Sequence, residues 1–143
     1  MSNSGIRTSI LGIILLLSLT VACRSARSQL LAAESSQVKL RAIQSRVLDS
    51  SDRAFVLRAV MATLQDLGFV IDDADETLGS VSATKLDRYA LRMTVTVRPR
   101  GARQMLVRAN AQYNLRAVEE PQPYQRFFDA LGKSAFLAMH QAE

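Results

Sequence analysis

The sequence predicts a two-layer α+β domain: an antiparallel sheet of about four to five strands with two amphipathic helices packed on one face. Two observations predict it. Long alternating runs, Leu91 to Val97 and Met105 to Leu115, flank the polar gap Pro99-Arg100-Gly101-Ala102-Arg103 and read as a hairpin whose loop exceeds two residues. Two stretches of helical spacing lie before and after that hairpin, giving the order strand, helix, strands, helix. One apolar face per strand leaves the other face polar and open. A domain of this size buries roughly 60–70% of its unfolded surface, enough for one core without staples.

The elements justify themselves in chain order. Val38, Leu40 and Ala42 alternate with Lys39 and Arg41, the period of a half-buried strand, until Ile43 breaks the pattern. Ser50-Ser51-Asp52 offers a helix cap. From Arg53, residues Val56, Ala59, Val60, Thr63, Leu64 and Leu67 fall on one stripe with Phe55 beside it, and Gly68 follows as a stop. Phe69-Val70-Ile71 reads as a short strand, Asp72 to Gly79 as an acidic turn, and Ser80 to Lys85 as a returning strand with Val81 and Ala83 inward. Leu86-Asp87-Arg88 connects to the hairpin. In its second strand, Met105, Val107, Ala109, Ala111, Tyr113 and Leu115 share one face; Leu106, Arg108, Asn110, Gln112, Asn114 and Arg116 share the other. Glu119-Glu120-Pro121 opens the last helix, with Tyr124, Phe127, Phe128, Leu131, Ala135, Phe136 and Met139 as its stripe. The core is expected to be filled by Phe55, Phe69, Phe127, Phe128 and Phe136.

Ahead of this domain stands an export signal. Met1 to Thr8 is polar with Arg7 its single charge, and Ile10 to Leu19 is an apolar core well short of the ~20 residues that span a bilayer. Leu19-Thr20-Val21-Ala22 leads into Cys23, the only cysteine, and polarity switches at Arg24. This junction resembles the lipobox of bacterial lipoproteins, with Thr20 where that family usually carries Leu. The resemblance implies cleavage before Cys23 and acylation of its thiol and amino group; several chains are needed because one holds only weakly. Thr20-Val21-Ala22 also fits the cut of an ordinary secreted protein. An uncleaved membrane anchor is a third reading, disfavoured by the short run. A lone thiol in an oxidising compartment has no internal partner, which favours acylation. The expected organisation is residues 1–22 as signal peptide, 23–37 as lipidated tether and 38–143 as the α+β domain. Residues 24–37 would reach about 45–50 Å extended, with a short helix around Gln29 to Glu34 as an alternative.

No catalytic pattern accompanies the fold. His140 is the sole histidine and lies near the end of the chain, which leaves no Ser-His-Asp or Cys-His arrangement. Asp72, Asp73, Asp75 and Glu76 lack the spacing of a calcium loop and read as a solvated turn. No glycine-rich phosphate loop is present, and no cofactor is implied. The expectation is a non-enzyme.

Charge is the remaining signal. The chain carries a net charge of +5, and from Arg88 to Arg116 there are seven arginines and no acid. Alternation puts Arg92, Arg98, Arg108 and Arg116 on the polar sheet face, with Arg100 and Arg103 crowning the loop. Arginine suits bidentate contacts to carboxylate or phosphate; a merely solvated face that discourages edge-to-edge pairing is the plainer reading. Nucleic acid fits the charge but not the export signal.

Leu64-Gln65-Asp66-Leu67-Gly68-Phe69-Val70-Ile71, Leu78-Gly79-Ser80-Val81, Met93 to Gly101 and Val107 to Gln112 resemble small, mostly uncharacterised proteobacterial outer-membrane lipoproteins. The helix, strand, glycine-turn and strand order is also similar to the domains of the C-component lipoprotein of the β-barrel assembly machine. Neither family brings a catalytic residue. The resemblance implies a lipid-anchored envelope protein. Arg24, rather than aspartate, after the cysteine implies outer-membrane delivery, with the domain facing the periplasm. The expected role is an adaptor whose arginine face meets an envelope protein or an anionic envelope component. A carrier of a small lipid or apolar ligand, held between sheet and helices, is the alternative.

Overall fold

The computed structural model describes residues 34–87 and 89–140. Cys23, the signal, most of the tether and Arg88 lie outside the described residues, as do the side chains of Asp87, Ala138, Met139 and His140. The elements are helix α1 (34–43), β1 (Ser45–Leu48), α2 (Arg53–Asp66), β2 (Val70–Asp75), β3 (Ser80–Asp87), β4 (Tyr89–Arg100), β5 (Gln104–Tyr113), β6 (Arg116–Ala117) and α3 (Pro121–His140). The antiparallel sheet has the order β1-β5-β4-β3-β2, with β6 also on β5. Helices α2 and α3 pack on each other and on one sheet face, making the two-layer α+β domain. Among the described residues no helix is long and apolar enough to cross a membrane.

Helix α2 forms where cap, stripe and stop coincide. The Asp52 carboxylate accepts the Phe55 amide at 2.9 Å. At the other end Gly68 has φ +83°, the Phe69 amide reaches Leu64 O and the Gly68 amide reaches Gln65 O, a Schellman closure. Its closing pair, Leu64 and Phe69, is buried in the core. Leu57 is buried beside the expected stripe, and the Thr63 hydroxyl satisfies itself on Ala59 O at 2.7 Å.

Four expectations are corrected. Residues 38–42 are helical, and the first strand is Ser45–Leu48. The alternation there is three apolar residues long; Leu40 and Ile43, three apart, are half-buried on one side of α1, and Val38 is exposed. Asp72, Asp73 and Asp75 belong to strand β2, and the turn is residues 76–79. An edge strand leaves such carboxylates in water, and a bulge between Ile71 and Asp73 accommodates the extra residue. Phe136 is exposed rather than part of the core, and Phe55 is only partly buried. The fourth correction concerns Leu115 and Arg116, which leave the alternation of β5. Asn114, at φ +53°, turns the chain, so that Arg116 returns opposite Tyr113.

The core lies between the helices and the inward residues Val81, Ala83, Met93, Val95, Val97, Met105, Val107, Ala109 and Ala111. Tyr124, buried on α3, finishes the outer edge of β5. Beyond β1, the Ala109 amide bonds to Gln44 O. The next outward amide, Ala111, donates to the Tyr124 hydroxyl at 3.2 Å, and that hydroxyl donates to Val118 O at 2.7 Å. Gln44 adds a side-chain bond to the same oxygen at 3.2 Å. Gly79 holds a second tight place: its φ is +68°, and a Cβ there would lie 2.6 Å from Val97 O.

Candidate functional site

The face of the sheet turned away from α2 and α3 is the candidate site. Pairing register defines its rows. Thr84, Arg92 and Gln112 lie side by side across β3, β4 and β5; Ser82, Thr94 and Asn110 form the next row; Ser80, Thr96, Arg108 and Ser45 the next; then Arg98, Leu106 and Val47. Arg100 continues the β4 series opposite Gln104, and Arg103 lies in the turn 101–103, which Gly101 makes at φ +68°.

The arginines divide into two groups. Arg98, Arg100, Arg103 and Arg108 gather at the β4–β5 hairpin end. Arg98 and Arg108 are diagonal neighbours, about 7–8 Å apart at the backbone. Arg108 Nε donates to Ser45 Oγ at 3.4 Å, and among the described residues no carboxylate forms an ion pair with any of these four. Asp49 lies at this end but accepts from Gln104 at 2.7 Å. Arg92 stands four residues from the Arg108 row, about 13 Å along the strands. It faces Asp72 at 3.9 Å, and Asp72 also accepts the Thr84 hydroxyl at 2.6 Å. Its side chain remains 63% exposed, so this pair is weak.

Arg116, expected on this face, is opposite Tyr113 and therefore on the helix-bearing side. Two-residue alternation cannot be carried through a turn, and Asn114-Leu115 is one. The structure thus brings Arg98, Arg100, Arg103 and Arg108 together, sets Arg92 apart, and removes Arg116. Leu106 and Val47 supply apolar surface within the arginine end, half-buried and accessible.

Neutral hydroxyl and amide side chains separate the groups, so the face can make hydrogen bonds and charge contacts to an extended anionic surface. Among the described residues no three histidine, cysteine, aspartate or glutamate side chains are placed to hold a metal ion. Asp75, from the acidic stretch, accepts the Leu78 amide at 2.8 Å and closes its own turn.

A cleft of about 200 Å³ opens on the helix-bearing side, bordered by Phe69, Lys85, Met93, Tyr113, Gln122 and Arg126. Lys85 Nζ is engaged there by Leu67 O at 2.8 Å, where it caps the end of α2. Sequence reasoning missed one surface feature: Leu86, Tyr89 and Leu115 are exposed at hairpin tips. The signal available was apolar residues at the points where alternation stops.

No protein-family model and no curated protein matches this chain.

Proposed function

We propose that the protein is a non-enzymatic, lipid-anchored envelope protein. It is tethered through Cys23 to the bacterial outer membrane with its domain facing the periplasm, and it acts as an adaptor through the open sheet face. The observation that carries the adaptor role is the four-arginine end of that face, exposed and without a carboxylate partner among the described residues. The lipobox-like junction at Cys23 carries the anchor. The partner is an acidic envelope protein or another anionic envelope component, read by guanidinium forks that suit carboxylate and phosphate alike.

A carrier of a small apolar ligand is the second reading, and the cleft beside Phe69 and Met93 favours it. Its volume of about 200 Å³ is below the ~300–1,000 Å³ of ordinary small-molecule sites. The adaptor reading therefore stands first.

Two experiments test the proposal separately. Labelled palmitate is expected to enter the wild type and not Cys23→Ser; equal labelling defeats the anchor. In pull-downs from solubilised envelope, Arg98→Gln, Arg100→Gln, Arg103→Gln and Arg108→Gln combined are expected to lose partners that the wild type retains. Retention should also fall with added salt, because exposed charges are screened within ~8 Å at physiological ionic strength. An unchanged set of partners leaves the face a solvated surface.

A further inference from the structure

The end of the sheet remote from the β4–β5 hairpin ends in apolar tips. Leu86 is 83% exposed and Tyr89 65% exposed at the β3–β4 turn, and Leu115 is 95% exposed at the β5–β6 turn. The two turns are neighbours, since the Asn114 amide bonds to Ala90 O. Single exposed apolar residues need no explanation, but three at the outermost points of adjacent hairpins give the sheet an apolar end, with Leu86 on the parity of the open face and Tyr89 on that of the helix-bearing face.

Immediately behind the patch runs a row across four strands. Lys85 pairs with Leu91, Leu91 with Tyr113, and Tyr113 with Arg116. Arg126 of α3 borders the same cleft as Lys85 and Tyr113. Arg92 lies one residue further on β4, on the opposite sheet face. Asp87 ends β3 at the tip itself, paired with Tyr89, and the next acids, Glu119 and Glu120, follow Val118, whose amide bonds to Ala111 O behind this row. Apolar tips therefore lead and cations follow one or two residues later, about 3–7 Å back at the strand rise.

We propose that these tips are a lipid-surface contact: Leu86, Tyr89 and Leu115 enter the boundary between headgroups and acyl chains of an anionic bilayer, with Arg116 and Arg126 against its phosphates. An interfacial element seats its apolar side about 5–10 Å into that boundary, and basic residues just behind it meet the negative headgroups. The offset between tips and cations matches this depth. Tyrosine suits the position because its ring is apolar and its hydroxyl wet. The patch is convex, so it fits a deformable surface rather than filling a pocket. This inference concerns the opposite end of the sheet from the arginine cluster and does not depend on it.

The chain contains no tryptophan, so one introduced indole reports its own site. The full chain carrying Leu115→Trp is mixed with vesicles of phosphatidylcholine, with or without phosphatidylglycerol, and read by emission shift and by quenching from lipids brominated on the acyl chains. Leu78→Trp is the control, 66% exposed in the β2–β3 turn at the other end of the sheet. Whatever the N-terminal region does on the same vesicles acts on both chains equally. The expected result is a blue shift and quenching at position 115 on anionic vesicles, with position 78 unquenched. Arg116→Gln and Arg126→Gln, in the Leu115→Trp background, should each lower that partitioning roughly fivefold, with an unchanged melting temperature. Equal quenching at the two positions, or none at 115, overturns the proposal. So does a blue shift at 115 that depends on protein concentration without vesicles, which would assign the tips to a second copy of the chain.

Discussion

On β4, Val95 is fully buried against the helices, while its neighbours Thr94 and Thr96 stand half-exposed on the opposite face. The same division runs through β5, where Val107 and Ala109 are buried and Arg108 and Asn110 exposed. Every second residue thus answers to packing, and the residues between answer to solvent and to whatever the open face meets. The contrast teaches that the packed face and the open face can be altered independently within one strand.

The largest expected effect lies on the packed face. Phe127 is fully buried and stacks edge-on against Phe128 at 5.1 Å between centroids. Phe127→Ala should cost about 3–5 kcal/mol, read by denaturant unfolding. Tyr124→Phe keeps the ring but removes the oxygen shared by Ala111, Val118 and Gln44. A loss of about 1–3 kcal/mol is expected, with faster hydrogen exchange at the Ala111 amide. Val95→Ala should cost about 1–2 kcal/mol, whereas Thr96→Ala, one residue away, should stay within about 0.5 kcal/mol. Equal losses at the two would break the division between faces. Smallest of all, Arg92→Gln should change stability by less than ~1 kcal/mol, since its pairing with Asp72 is exposed. The four-arginine variant should melt with the wild type; if it unfolds, those side chains hold the hairpin rather than a partner.

Much of this division was legible before any coordinates. Helix α2 was readable because three independent signals agree on its ends: the Asp52 cap, the apolar stripe and the Gly68 stop. The β4–β5 pair was readable because its alternation persists long enough to exclude a helix. Residues 38–42 misled because three alternating apolar positions are too few to separate the two periods. The acidic residues of β2 looked like a turn because composition does not reveal that a strand lies at an edge. In the site, Arg98 and Arg108 followed from alternation, and Arg100 and Arg103 from the loop. Arg116 did not, because the parity of a strand is lost at a turn, and only the structure shows that Asn114-Leu115 is one.

The mended edge of β5 bears on the order in which the chain can close. Strands β2 to β5 are a simple meander, each pairing with the next in sequence, and such local pairings form early. The outer edge of β5 waits for β1, for β6 and for the hydroxyl of Tyr124, which also ties Gln44 across 80 residues of sequence. Until the 20 residues of α3 have docked, the Ala111 amide faces outward from an unfinished strand, ready to pair with any other chain. A product that stops before Pro121 is therefore a template for aggregation, whereas a chain that includes α3 carries its own seal.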